Sequence, residues 1–168
     1  MPELEFLDSY GGQSLDELLA MEATHRKDSL LLAIESALDA KATRLGPASL
    51  TSEERMILAV EALEREVNNG GYHQFFINSS CAYAGEVESA LRAIGCPGHA
   101  DIARRAIDAL AIDGPITAES VEMVASECSD ELLDTLDSVD QEYYACEESI
   151  EERLFTFAES HRDHIRIP

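Results

Sequence analysis

Helix-start signals recur along this chain and constrain its fold more than any other feature. Ser14-Leu15-Asp16-Glu17 and Thr51-Ser52-Glu53-Glu54 both read as capping boxes. In such a box the hydroxyl accepts from the amide three residues on, while the Glu reaches back to the cap's own N–H. Behind the first, Leu15, Leu18 and Leu19 share one side of a helix. Leu30, Leu31, Ile34 and Leu38 continue the helical spacing, so one long helix or two short ones broken near Lys27-Asp28 are expected before Gly46-Pro47. Behind the second box, Met56, Val60, Leu63 and Val67 recur at three- and four-residue spacing, with Glu54, Glu61 and Arg65 expected elsewhere on the wheel. Asn68-Asn69-Gly70-Gly71 should stop this helix, because Asn and Gly tolerate the left-handed backbone that closes one. Further helices are expected over Tyr83 to Ile94, Ala100 to Ile112, Thr117 to about Glu127, Asp130 to Tyr143 and Glu148 to Ile165. No stretch alternates with period two over strand length. The expectation is an all-α fold, a compact single-domain bundle of about seven to nine helices over residues 14–168, behind an N-terminal extension of residues 1–13.

Charge limits what such a fold can bind. The 34 Asp and Glu against 12 Lys and Arg give a formal charge of −22. Direct binding to nucleic acid or to an anionic membrane surface is therefore strongly disfavoured, and a cationic protein surface is the macromolecular partner that fits. From Ala106 to Glu152 there are fifteen Asp or Glu and no Lys or Arg. On a helical wheel Leu132, Leu133, Leu136, Val139 and Tyr143 gather on one side, and Asp130, Glu131, Asp134 and Asp137 on the other. In the next helix Ile150, Leu154, Phe157 and Ile165 suggest an inner stripe, with Glu148, Glu151 and Glu152 outward. Like charges a turn apart destabilise a helix by a few tenths of a kcal/mol per pair, so the pattern carries a cost. Carboxylates one turn apart stand roughly 5–6 Å from one another, a spacing and charge density comparable to lines of DNA phosphates. The candidate partner-binding surface is Glu119, Glu122, Glu127, Asp130, Glu131, Asp134, Asp137, Glu148, Glu151 and Glu152. The bland alternative is an acidic face that only interacts with solvent.

The string Val67-Asn68-Asn69-Gly70-Gly71-Tyr72-His73-Gln74-Phe75-Phe76-Ile77-Asn78 is the most unusual by residue type. If a short helix follows the double glycine, Tyr72, Phe75 and Phe76 share a face that anchors it in the core. His73, Gln74 and Asn78 then lie at the edge or are buried and hydrogen-bonded. His73 as a general base would need an acid, nucleophile or metal ligand at a diagnostic spacing, and none is apparent. A structural His73 is the preferred reading. His161-Arg162-Asp163-His164 is explained by cations favoured near a helix C-terminus, without a metal. Cys81, Cys96, Cys128 and Cys146 show no Cys-x-x-Cys pairing, so neither a zinc site nor a disulfide framework is signalled, and mostly buried thiols are expected. No catalytic residue, metal or cofactor is expected. The N-terminal residues lack a basic, apolar leader and no run approaches the ~20 apolar residues of a membrane span, so a cytoplasmic location is expected.

The segment from Glu64 to Ser79, with Asn68, Asn69, Gly70, Gly71, Tyr72, His73, Gln74, Phe75 and Asn78 as its distinctive residues, resembles the hallmark of the bacterial nineteen-kilodalton DNA-mimic protein family. The likeness extends from about Ser14 through Tyr143-Tyr144 to the Phe155-to-Arg162 end. It implies an all-helical, acidic homodimer whose surface carboxylates occupy the DNA-binding face of a helix-turn-helix regulator. The expected function is stoichiometric binding to a basic DNA-binding protein, without turnover. The alternatives are an acidic inhibitor or immunity-type protein covering a basic partner, or a small-molecule or enzymatic pocket around Tyr72, His73 and Asn78.

Overall fold

Eight α-helices build the described residues, 3–167, of the computed structural model: α1 Leu15–Ala20, α2 Lys27–Leu45, α3 Ser52–Ile77, α4 Val87–Ala93, α5 Pro97–Ala109, α6 Ala118–Ser126, α7 Asp130–Ala145 and α8 Ile150–Ser160. Among those residues there is no β-strand, only an isolated parallel bridge between Glu5 and His25. The fold is all-α, as expected. Met1 and Pro2, at the head of the expected extension, and Pro168, at the end of the expected domain, lie outside the described residues. Among the described residues no helix is long and apolar enough to cross a membrane.

The chain divides into two compact units. One holds the chain up to Glu61 together with Ser149 onward, and the other is Ala62–Glu148. The first unit packs α1 and α8 against α2. Ser14 and Glu17 form the expected capping box on α1. The break near Lys27 is real: Met21–Ala23 forms a 3₁₀ turn before α2 begins. Leu18, Leu30, Ile34, Leu38, Ile57 and Leu154 are fully buried.

One expectation for this unit fails. Glu54 and Glu61, placed off the apolar stripe of an amphipathic helix, are nonetheless both buried, Glu54 completely. Glu54 is matched atom for atom. Its Oε1 and Oε2 accept from Lys41 Nζ at 2.8 and 2.7 Å, while Arg166 N–H and Thr51 N–H donate to them at 2.6 and 2.9 Å. The Thr51 hydroxyl accepts from Glu54 N–H, completing the predicted capping box, and itself donates to His164 O. A buried carboxylate is stable only with such compensation, and the cap places it where Lys41 and the C-terminal segment can supply it.

In the second unit α5 packs on α4 and α7, and α6 packs on the 3₁₀ turn Ser79–Tyr83. Val67, Tyr72, Phe75, Phe76, Leu91 and Val121 are fully buried. Several helix boundaries differ from the expected ones: α5 ends at Ala109 and not Ile112, and the last helix, expected over Glu148 to Ile165, runs Ile150–Ser160 before a separate 3₁₀ turn. The helix expected over Tyr83 to Ile94 begins only at Val87, after the 3₁₀ turn. The next begins earlier than Ala100, because Pro97 opens it as its first residue. Proline suits that position, where its missing N–H would have no helical partner.

Candidate functional site

The double glycine sets the geometry of the hallmark segment. Helical backbone stops at Gly70 (φ −162°) and Gly71 (φ +77°), and resumes at Tyr72. The second glycine lies in the left-handed region, and a Cβ there would stand 2.0 Å from Asp140 Oδ2. That closeness has a purpose, since Asp140 Oδ1 accepts from Tyr72 N–H at 2.8 Å. A buried carboxylate of α7 thus takes up the first amide of the restarted helix, which lacks an intrahelical acceptor. Burial, with Asp137 nearby, holds the Asp140 carboxyl above the usual carboxylate range despite that bond.

The restarted turn presents Tyr72, Phe75 and Phe76 inward, as the sequence predicts. Tyr72 meets Tyr143 edge-to-face at 5.9 Å between ring centroids. Burial, with the Asp140 and Glu64 carboxylates near, raises the Tyr72 phenol well above its ordinary range. The polar hallmark residues are also committed to the fold. Gln74 Nε2 and Asn78 Nδ2 each donate to Glu66 Oε2 at 2.8 Å. Burial pushes Glu66 up, but these donors and Arg65 outweigh it and hold the carboxyl below its usual range. His73 Nε2 lies 3.2 Å from Ala125 O, joining the turn to α6, and Asn68 Nδ2 donates to Glu64 O. Asn69 is exposed. The histidines near the C-terminus diverge: His161 stacks on Phe157, and His164 Nδ1 lies 3.3 Å from Glu53.

The acidic candidates separate into two groups. Glu119, Glu122, Glu127, Asp130, Glu131, Asp134 and Asp137 are exposed on or at the ends of α6 and α7 in the second unit. Among the described residues, none of the seven forms an ion pair. Helix electrostatics explain three of them, since Glu119, Asp130 and Glu131 lie in first turns, where the dipole favours anions. Glu122, Asp134 and Asp137 lie beyond that turn, and Glu127 is the C-cap of α6, where an anion is disfavoured. Leu132, expected on the inner stripe, is only half-buried and lines an open hollow of about 370 Å³ with Leu110, Glu131 and Thr135.

The other three candidates have partners inside their own units. Glu148 Oε1 accepts from Gly98 N–H at 2.8 Å, and its Oε2 from His99 N–H at 3.0 Å. Burial raises this carboxyl, but the two amides and His99 outweigh it and hold it low. Glu152 pairs with Lys27 Nζ at 2.6 Å in the first unit. Glu151, also in the first unit, is half-buried and accepts a hydrogen bond from the Asp28 backbone, while burial and the Asp28 and Glu152 carboxylates beside it raise its carboxyl.

The DMP19-like protein family model matches residues 48–161, which include the double-glycine turn, the aromatic anchors and both acidic helices. The chain belongs to the DMP19-like family. No curated protein and no solved structure matches it. In this DMP19-like chain two residues central to the hallmark's geometry escaped the sequence reading. Asp140 had a signal, because on the wheel it falls between Leu133 and Leu136, on the packed side of α7. The other, Glu66, looks like any exposed acid of an amphipathic helix until the turn brings Gln74 and Asn78 back over it.

Proposed function

We propose that this chain is a DNA mimic that occupies the basic DNA-binding surface of a transcription regulator or similar nucleic-acid-binding protein. The observation that carries the reading is the set of seven exposed, unpaired carboxylates on α6 and α7. Four of them lie where helix electrostatics gives no reason for an anion. Asp130, Asp134 and Asp137 follow one another at i+4 and i+3, forming a row of charge about a turn apart. Lys and Arg side chains that grip phosphates donate to carboxylates through the same charge-assisted hydrogen bonds, Arg often in bidentate fashion. The protein acts by stoichiometric competition, not turnover, as a cytoplasmic homodimer. The DMP19-like membership supports the reading through the family's DNA-mimic name. Glu148, Glu151 and Glu152 are engaged within their units, which narrows the surface to the seven.

The test is capture from the native lysate on immobilised protein, with a salt gradient and with excess duplex DNA as competitor. A DNA-binding protein should be retained at low salt and displaced by DNA. Its affinity should fall by roughly 10³-fold or more between about 50 and 200 mM salt, as for phosphate contacts. The triple variant Asp130→Asn, Asp134→Asn, Asp137→Asn should keep its helicity and lose the partner. A partner held equally at low and high salt, or indifferent to DNA, would refute mimicry.

A further inference from the structure

Glu148 leaves the acidic surface for a place with chemistry of its own. It stands at the start of α5, where Cys96 is the N-cap and His99 lies three residues on, so both face the same side of the first turn. The ligand atoms of Cys96, His99 and Glu148 all lie within 4.8 Å of one another, the one such Cys, His, Asp or Glu cluster among the described residues. Cys96 is fully buried and His99 is 3% exposed. His99 Nδ1 faces Glu148 Oε2 at 3.1 Å, and the Cys146 thiol lies 3.8 Å from the same oxygen.

We propose that Cys96, His99 and Glu148 form a zinc-binding site, with Cys146 supplying the fourth position. One thiolate, one imidazole and one carboxylate suit zinc, whereas calcium and magnesium take oxygen ligands alone. Zinc bond lengths place tetrahedral donors about 3.3–3.8 Å apart, so Cys96, His99 and Glu148 close on the ion with shifts of about 1 Å, and the Cys146 thiol turns in from beside Glu148 Oε2. The carboxylate is already oriented by the Gly98 and His99 amides, the kind of outer support that metal ligands need. Gly98 makes that approach possible, since a Cβ there would lie 3.0 Å from Glu148 Oε1. On binding, Cys96 and Cys146 each release a thiol proton to solvent. His99 coordinates through Nδ1 with its ring proton on Nε2. The ion ties the start of α5 to the segment that follows α7, the helix carrying most of the acidic face. This site is independent of the partner-binding reading.

The full chain, stripped with chelator under reducing conditions, is titrated with cobalt(II) and then zinc. One equivalent of cobalt should bind with a near-ultraviolet thiolate charge-transfer band that zinc abolishes. Cys96→Ser should cut the band by about half and Cys96→Ser with Cys146→Ser should remove it, while Glu148→Gln should weaken zinc binding at least about tenfold. Asp134→Asn should change neither. X-ray absorption of the zinc-loaded wild type gives a readout that needs no variant to fold, with sulfur expected in the first shell at about 2.3 Å. An oxygen-only shell, or a cobalt band unchanged by Cys96→Ser, would overturn the site.

Discussion

Replacing Lys41 by Met removes one half of the buried pair in the first unit while leaving the methylene stem nearly intact. Lys41 Nζ donates three hydrogen bonds, at 2.8 and 2.7 Å to the two Glu54 oxygens and 3.0 Å to Arg166 O. Bonds to charged groups contribute about 1.5–3 kcal/mol each, so even the lower figure for three gives about 4.5 kcal/mol. That agrees with the ~3–5 kcal/mol lost when one partner of a buried ion pair is removed. Against a typical stability of about 5–15 kcal/mol, a loss of this size is large. Glu54, fully buried, would retain only the Arg166 and Thr51 amides. The measurement is urea unfolding at neutral pH by far-ultraviolet circular dichroism, with amide hydrogen exchange at Arg166 to localise the effect. Lys41→Met should lower stability by about 3–5 kcal/mol. Combined with Glu54→Gln, the loss should fall short of the sum of the single changes by about 1 kcal/mol or more, because the second change removes the stranded charge. A Lys41→Met protein within about 0.5 kcal/mol of wild type, the range of an ordinary surface change, would show that the buried pair contributes nothing net.

Four further outcomes follow from the hallmark turn and the Glu148 contact. Gly71→Ala should destabilise by about 2 kcal/mol or more by thermal or urea unfolding, since left-handed strain of ~1–2 kcal/mol adds to a clash with Asp140. Gly70→Ala should cost less than Gly71→Ala, because its φ of −162° lies outside the left-handed region and the new Cβ meets the Gln74 side chain, which can swing aside at the expense of its bond to Glu66; equal losses at both glycines would contradict this. Asp140→Ala strands the buried Tyr72 N–H and should lower the unfolding free energy by about 1–3 kcal/mol, whereas Asp140→Asn keeps an acceptor and should recover most of it. The folded Glu148 carboxyl lies below its ordinary value of 4.5, so its contribution is fully present above that value and is lost as pH falls through the folded pKa. Glu148→Gln should therefore flatten the acid limb of the stability profile below about pH 4.5, and an unchanged limb would show that the contact contributes nothing.

Local chemistry made much of the fold legible. Both capping boxes form because they need only residues three apart, and the double glycine interrupts α3 because one of its members takes a left-handed backbone. Periodicity also put Tyr72, Phe75 and Phe76 in the core and left Asp130, Glu131, Asp134 and Asp137 exposed. Helix edges were less legible where proline and glycine permit more than one reading, as at Pro97, which opens α5 as readily as it could follow the end of α4.

The all-helical class, the hallmark turn and the excess of negative charge depend on near neighbours and composition, and so are already written in the residues. Which carboxylates belong to the surface depends instead on long-range contacts. Every Glu of an acidic chain looks alike in sequence, and its role depends on which donor the fold brings to it. For Glu54 that donor is Lys41, for Asp140 the Tyr72 amide, for Glu148 the start of α5, and for Asp134 and Asp137 no cation within the described residues. The Lys41, Tyr72 and α5 donors are separated from their acceptors by 13, 68 and 50 residues, beyond the reach of any local pattern.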